Sequence, residues 1–232
     1  MQQRFAIYYA PSRDSLLCQF GCRWLGRDPE NACHSPRFAV PGFTREELVT
    51  LTSSPSQYGF HATLKAPFHL TAGKTDAELH EALRSYAAAL RAFALPPLAL
   101  DRLGGFLALR PSAPSADLQQ LADGCVEGFD RFRRPTDETE LRRRNQSNLT
   151  ERQTELLNRF GYPYVLDQFR FHLTLTERLS AADAGRLHPW LEFELGAALA
   201  QQQVVKDLCL FVQDAAGEAF RLERRYAFGA AS

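Results

Sequence analysis

Two stretches of the chain alternate apolar and polar residues, and both put a histidine and a threonine on the polar side. In YGFHATLKAPFHL, Tyr58 to Leu70, residues Phe60, Ala62 and Leu64 alternate with His61 and Thr63. In DQFRFHLTLTERL, residues Phe169, Phe171, Leu173 and Leu175 alternate with Arg170, His172, Thr174 and Thr176. Successive strand side chains point to opposite faces, so each stretch predicts a strand presenting an imidazole and a hydroxyl side by side. The second predicts six or more strand residues.

The pattern elsewhere predicts a mixed chain. FAIYYAP, from Phe5, reads as an opening strand stopped by Pro11. A helix follows in SRDSLLCQFGCRWLG, with Ser12 or Asp14 as its cap. Residues Gly26 to Pro41, rich in Gly, Pro and polar residues, read as loop. Thr44 with Glu47, Thr75 with Glu78 and Thr150 with Gln153 form capping boxes at three helix starts. Ser115 opens another amphipathic helix, and Gly161 and Pro163 stop the one begun at Thr150. LPPLALDRLGGFLALRP predicts two strands about a break near Leu103 to Gly105. A short helix, broken or restarted at Pro189, and a closing hairpin in KDLCLFVQ and AFRLERRYAF complete the reading.

The two polar strands share Phe-His-x-Thr-Leu, and the same order follows each: helix, then two strands. A lone His-x-Thr is weak. Two, each between Phe and Leu on a predicted strand with matching downstream elements, predict a pair of related units. Other histidines act as controls. His34, His80 and His188 lack a Thr two positions on, and His69, although followed by Thr71, has Ala72 where the paired motifs have Leu; all four read as surface or satisfied polar residues.

Composition narrows the class. With 232 residues, 45% hydrophobic and 23% charged, the chain reads as an ordinary globular protein. Its 27 basic and 27 acidic residues cancel, so no global field draws in long nucleic acid and anion binding has to be local. No apolar run suits a membrane span and no signal core is present, which places the protein in the cytoplasm. Five cysteines in no dense pattern fit a reducing compartment. Cys18, Cys22, Cys33 and His34 invite a zinc reading, but Cys18 and Cys22 are four apart on a predicted helix with Leu25, where core packing is expected.

Two imidazoles facing across a cleft can serve as general acid and general base near neutral pH. Each Thr hydroxyl can hold a phosphoryl oxygen between them. This chemistry calls for no metal and no cofactor.

FHATL and FHLTL together resemble the signature of the two-histidine phosphoesterase superfamily, and the longer stretches around them resemble its branch encoded in phosphonate-utilisation operons. The resemblance spans nearly the whole chain. It implies an α+β fold, a single bilobal domain over 1–232 with interleaved lobes, each an antiparallel sheet with helices outside and the active-site cleft between them. It implies hydrolysis or transfer of a cyclic or linear phosphodiester by His61, Thr63, His172 and Thr174. The operon setting suggests 5-phosphoribosyl 1,2-cyclic phosphate as substrate and hence a second anion site. Arg170 and Lys65 on the polar strand faces are candidates, with Arg142 to Arg144 of LRRRN, Arg143 foremost. Tyr8, Tyr9, Tyr58 and Tyr164 are candidates to stack on a sugar or base. Competing readings are a nucleotide or RNA 2′,3′-cyclic phosphodiesterase and a module that binds a cyclic phosphate without turnover.

Overall fold

A computed structural model describes residues 3–136 and 149–229. Two antiparallel sheets dominate it. The first runs in the order β11-β10-β1-β4, from β1 (Arg4–Tyr9), β4 (Ala62–Phe68), β10 (Asp207–Gln213) and β11 (Arg221–Ala227). The second runs β6-β7-β8, from β6 (Leu98–Leu103), β7 (Phe106–Pro111) and β8 (Leu173–Thr174). Each sheet carries one of the two His-x-Thr segments, as the paired motifs predict.

The repeat is visible in the element order. After β4 come α4 (Asp76–Ala88), the short β5 (Phe93–Ala94), β6 and β7. After β8 come α7 (Ala181–Leu199), the short β9 (Val204–Val205), β10 and β11. The equivalent short strands β5 and β9 pair with each other, Phe93 opposite Val205 and Ala94 opposite Val204.

Alternation assigns the faces. On β1, Phe5, Ile7 and Tyr9 join the main core with Leu64 of β4, while Ala6 and Tyr8 join a smaller cluster with Cys209, Phe211, Phe220 and Leu222. From the second sheet, Leu107, Leu109, Leu173 and Leu175 enter the same main core. One core therefore backs both sheets, and alternation turns Thr63 and Thr174 to the opposite face of each. Helices α1 (Leu16–Leu25), α4, α5 (Ala116–Gly128) and α7 also bury apolar residues in that core.

Local signals set most helix starts. The three capping boxes form at Thr44, Thr75 and Thr150, opening α2 (Arg45–Leu51), α4 and α6 (Glu151–Phe160). Helix α6 ends on Gly161 at φ 72°, a left-handed position that favours glycine.

Several expectations are corrected. The cap of α1 is Ser15, whose hydroxyl accepts from the Cys18 amide. Residues 26–41 are not only loop, because Arg27–Asp28 (β2) and Cys33–His34 (β3) form a small hairpin. Pro189 lies inside the continuous helix α7. Strand β8 is two residues long, since only β7 pairs with it, although burial still alternates from Phe171 to Leu175. Cys18 and Cys22 are half-buried and border a surface cavity of about 390 Å³ with Cys33 and His34, so they flank the core instead of filling it. Among the described residues, no cluster of three His, Cys, Asp or Glu is placed to hold a metal ion, and no helix is long and apolar enough to cross a membrane.

Candidate active site

His61 stands just before β4, after the short helix α3 (Ser53–Tyr58). The connecting Gly59 has φ 79° and packs on Pro29, where an added Cβ would lie 2.8 Å from the proline ring. Only glycine fits that turn, and it aims the Gly59 carbonyl at the ring that follows. His61 Nδ1 donates to Gly59 O at 2.8 Å. A carbonyl can only accept, so Nδ1 carries the proton and Nε2 is left with a lone pair. Nε2 lies 3.3 Å from Thr63 Oγ1, whose hydroxyl can donate to it.

His172 repeats the device. Its Nδ1 donates to Arg170 O at 2.7 Å, so both imidazoles are held by the carbonyl two residues earlier and both direct Nε2 away from that anchor. The two rings are near enough that positive charge on His172 disfavours protonation of His61. Burial, the larger cause, and His172 hold the His61 pKa down at about 4, against the raising effect of the Gly59 carbonyl. His172 is lowered too, by burial first and by Arg110, while its own carbonyl partner raises it. Both rings are neutral at pH 7 in the free protein.

Register explains the neighbours. Ala108 of β7 stands opposite Thr174, and Leu109 opposite Leu173. Extending that ladder by one residue puts Arg110 opposite His172, on the same face. Asp101 of β6, opposite Ala108, forms an ion pair with Arg110. The Phe106 ring centre is 5.7 Å from that of His172. Arg110 and Phe106 escaped the sequence reading because only strand register brings them to the histidine.

The two half-sites are tied together. Trp24 Nε1 on α1 donates to Leu175 O at 2.7 Å in the core. Glu177, three residues after Thr174, accepts from the Ser54 amide at 2.6 Å and the Ser53 hydroxyl at 2.9 Å at the start of α3. The segment bearing His172 thus grips the helix that leads into His61.

The other candidates scatter. Tyr8 is 1% exposed and its ring stacks on His61, centres 3.9 Å apart, so it supports the imidazole from below and offers no face for stacking on a substrate. Tyr9 is buried in the main core. Tyr58 is half-buried, 5.9 Å from the His61 ring and stacked on Phe220 at 5.2 Å. Tyr164 is exposed. Arg170 is exposed and meets His172 through its backbone carbonyl. Lys65 is drawn inside, with its ammonium 3.0 Å from Val126 O and 3.3 Å from Asp130. The cause is a register shift in the β1–β4 ladder: Thr63 faces Tyr8, but Lys65 faces Ile7, a core residue. That irregularity turns Lys65 off the His61 face, correcting its expected contact with substrate. Arg143 and the rest of LRRRN lie outside the described residues.

Comparison with known proteins fits this geometry into a family. A family model described as "Protein of unknown function (DUF1045)" matches residues 63–221. The chain belongs to the DUF1045 family. The matched span of this DUF1045 chain includes Thr63 and the whole second motif. A curated relative from Janthinobacterium sp. (strain Marseille), named "Ribose 1,5-bisphosphate phosphokinase PhnN", is 42% identical over 181 residues, covering 78% of the chain and 40% of the relative. One of the same name from Laribacter hongkongensis (strain HLHK9) is 37% identical over 224 residues, covering 95% of the chain and 51% of the relative. The chain therefore spans about half or less of the relatives it matches. Solved structures similar to it include E. coli LigT complexed with 3′-AMP, at 15% identity and TM-score 0.41, covering 99% of this chain and 100% of that one. A structure described as a phosphoesterase has 14% identity and TM-score 0.44, with coverage of 99% and 100%.

Proposed function

We propose that the protein is a metal-independent cyclic phosphodiesterase. The observation that carries this reading is the matched pair of imidazoles, each oriented by the carbonyl two residues before it and each followed by a threonine on the same strand face. Two neutral imidazoles close to each other have few structural uses, since burying them costs stability below pH 6.5. They suit a reaction in which one proton is removed from water and another is given to a leaving oxygen. The arriving phosphate anion favours the protonated form of one ring. His61, held at about 4, is neutral across the physiological range and takes the proton from water. His172, which has no aromatic ring stacked as closely on it, carries the proton for the leaving oxygen. Thr63 and Thr174 hold the non-bridging oxygens.

The substrate we favour is 5-phosphoribosyl 1,2-cyclic phosphate. Water adds hydroxyl to phosphorus, the bond from phosphorus to the sugar O2 breaks, and O2 takes the proton. The product is ribose 1,5-bisphosphate, the compound named in the two phosphokinase relatives. A ring-opening activity in a chain that matches part of those relatives would supply the kinase's namesake substrate. The aromatic residues beneath His61 also favour a sugar phosphate over a nucleotide, because Tyr8, Phe211 and Phe220 are covered and leave little face for a base. Single His61→Ala and His172→Ala variants, assayed in chelator, test the mechanism: each loses turnover by about 100-fold or more, and full rate in either contradicts it.

A further inference from the structure

The first sheet carries an arginine on its site face that no carboxylate neutralises. Arg4 shares the face of β1 with Ala6 and Tyr8. Its Nε donates to Gln213 Oε1 at 2.6 Å, and Gln213 is fixed in turn by donating to Glu218 O at 2.6 Å. Among the described residues, Arg4 forms no ion pair, and its two terminal nitrogens make no hydrogen bond. The other half-buried arginines of the two sheets are compensated, Arg110 by Asp101, Arg221 by Asp214, and Arg225 by Glu30 and Asp207, while Arg102 and Arg224 are exposed to solvent. A charge held in place by a neutral amide, with its donor fork open, is built to meet an anion.

What surrounds it points the same way. The Arg4 guanidinium carbon is 5.4 Å from the centre of the Phe220 ring. Tyr58 stacks on that ring at 5.2 Å, Tyr8 lies 6.4 Å from it, and both tyrosines contact His61. One phenylalanine thus gathers a guanidinium, two phenols and a catalytic imidazole. Burial, with the nearby Tyr58 and Tyr162 phenols, pushes Tyr8 well above its ordinary pKa although Arg4 opposes this. Tyr8 therefore keeps its proton and does not repel an anion. Arg4 and Tyr8 are four residues apart, about 13 Å between Cα atoms, and the Phe220 ring links the guanidinium to the Tyr8–His61 stack.

We propose that Arg4, with the hydroxyl of Tyr58, receives a phosphomonoester carried by the substrate one sugar away from the bond that is cut. This rests on reading the His61–His172 site as a cyclic phosphodiesterase. It replaces Lys65, which is buried against Asp130, as the cation for the distal phosphate.

The test uses ribose 5-phosphate as a binding probe and two cyclic substrates as kinetic ones. Calorimetry should show ribose 5-phosphate binding to the wild type, with Kd raised at least tenfold in Arg4→Met and in Gln213→Glu, which neutralises the guanidinium in place. Arg4→Lys should fall between. No binding to the wild type, or equal Kd in folded Arg4→Lys and Gln213→Glu, overturns the proposal. In turnover, the preference in kcat/KM for 5-phosphoribosyl 1,2-cyclic phosphate over ribose 1,2-cyclic phosphate should fall at least tenfold in Arg4→Met. If both sugars are opened and that preference is unaltered, the subsite falls and the phosphodiesterase reading stands. If neither is opened while ribose 5-phosphate binding depends on Arg4, the subsite stands and the phosphodiesterase reading falls.

Discussion

The Tyr8 ring lies against the His61 imidazole, 3.9 Å between centres and 28° from parallel. Tyr8 is packed in turn against Phe211 at 5.0 Å, so the histidine rests on a fixed surface while its Nδ1 is held by Gly59 O. A proton acceptor that has to meet a bound water gains from such rigidity, since a misplacement of about 1 Å can cost 100-fold in rate. Tyr8→Leu should lower kcat by about that factor, and Tyr8→Phe, which keeps the ring, should restore most of it. Steady-state kinetics of the two variants checks this, and equal kcat in both removes the stack from the account.

The burial of His61 has a consequence for stability. An unfolded histidine titrates near 6.5, whereas His61 is held at about 4. Between those values the unfolded chain binds a proton that the native fold refuses. Stability therefore falls as pH falls through that window and is unaffected by this group above it. The gap corresponds to roughly 3 kcal/mol. Denaturant titrations from pH 7 to pH 4 should show a shallower loss in His61→Gln than in the wild type. Parallel losses would mean that the ring is protonated normally in the fold.

The assignment of roles to the two histidines is open to a leaving-group test. An alkoxide needs a proton as it departs and a nitrophenolate does not. His172→Ala should cost about 1000-fold on a sugar cyclic phosphate and under tenfold on bis(p-nitrophenyl) phosphate. His61→Ala should be costly on both. The reverse pattern exchanges acid and base.

Lys65 belongs to the architecture. Its ammonium is enclosed between Asp130 and Val126 O, and burial lowers its pKa to about 8 despite Asp130. Asp130→Ala leaves that cation unpaired in the interior and should destabilise the fold by about 3 kcal/mol. Lys65→Met removes the charge and should cost less. The check is chemical denaturation of both variants at pH 7, and a Michaelis constant raised tenfold or more by Lys65→Met would return the residue to the substrate site.

The sequence was most informative where one residue type answers to one local constraint. Thr44, Thr75 and Thr150 each cap the predicted helix, because capping is settled within four residues. The two His-x-Thr strands were legible for the same reason, with alternation fixing their faces. Lys65 shows the limit, since the register shift that turns it inward depends on the pairing of β4 with Ile7 and Tyr8. Arg110 and Arg4 lie beyond that limit. Nothing near Arg110 in sequence tells that β7 will lie beside β8, or that Arg4 will find a neutral partner in Gln213, 209 residues away.

The most direct test is phosphorus NMR of the protein in chelator with 5-phosphoribosyl 1,2-cyclic phosphate and, in parallel, a 2′,3′-cyclic nucleotide. The sugar phosphate alone should be consumed, its cyclic resonance replaced by that of a phosphate monoester on O1 of ribose 1,5-bisphosphate. Two unchanged spectra, or consumption of the nucleotide alone, would contradict the proposed function.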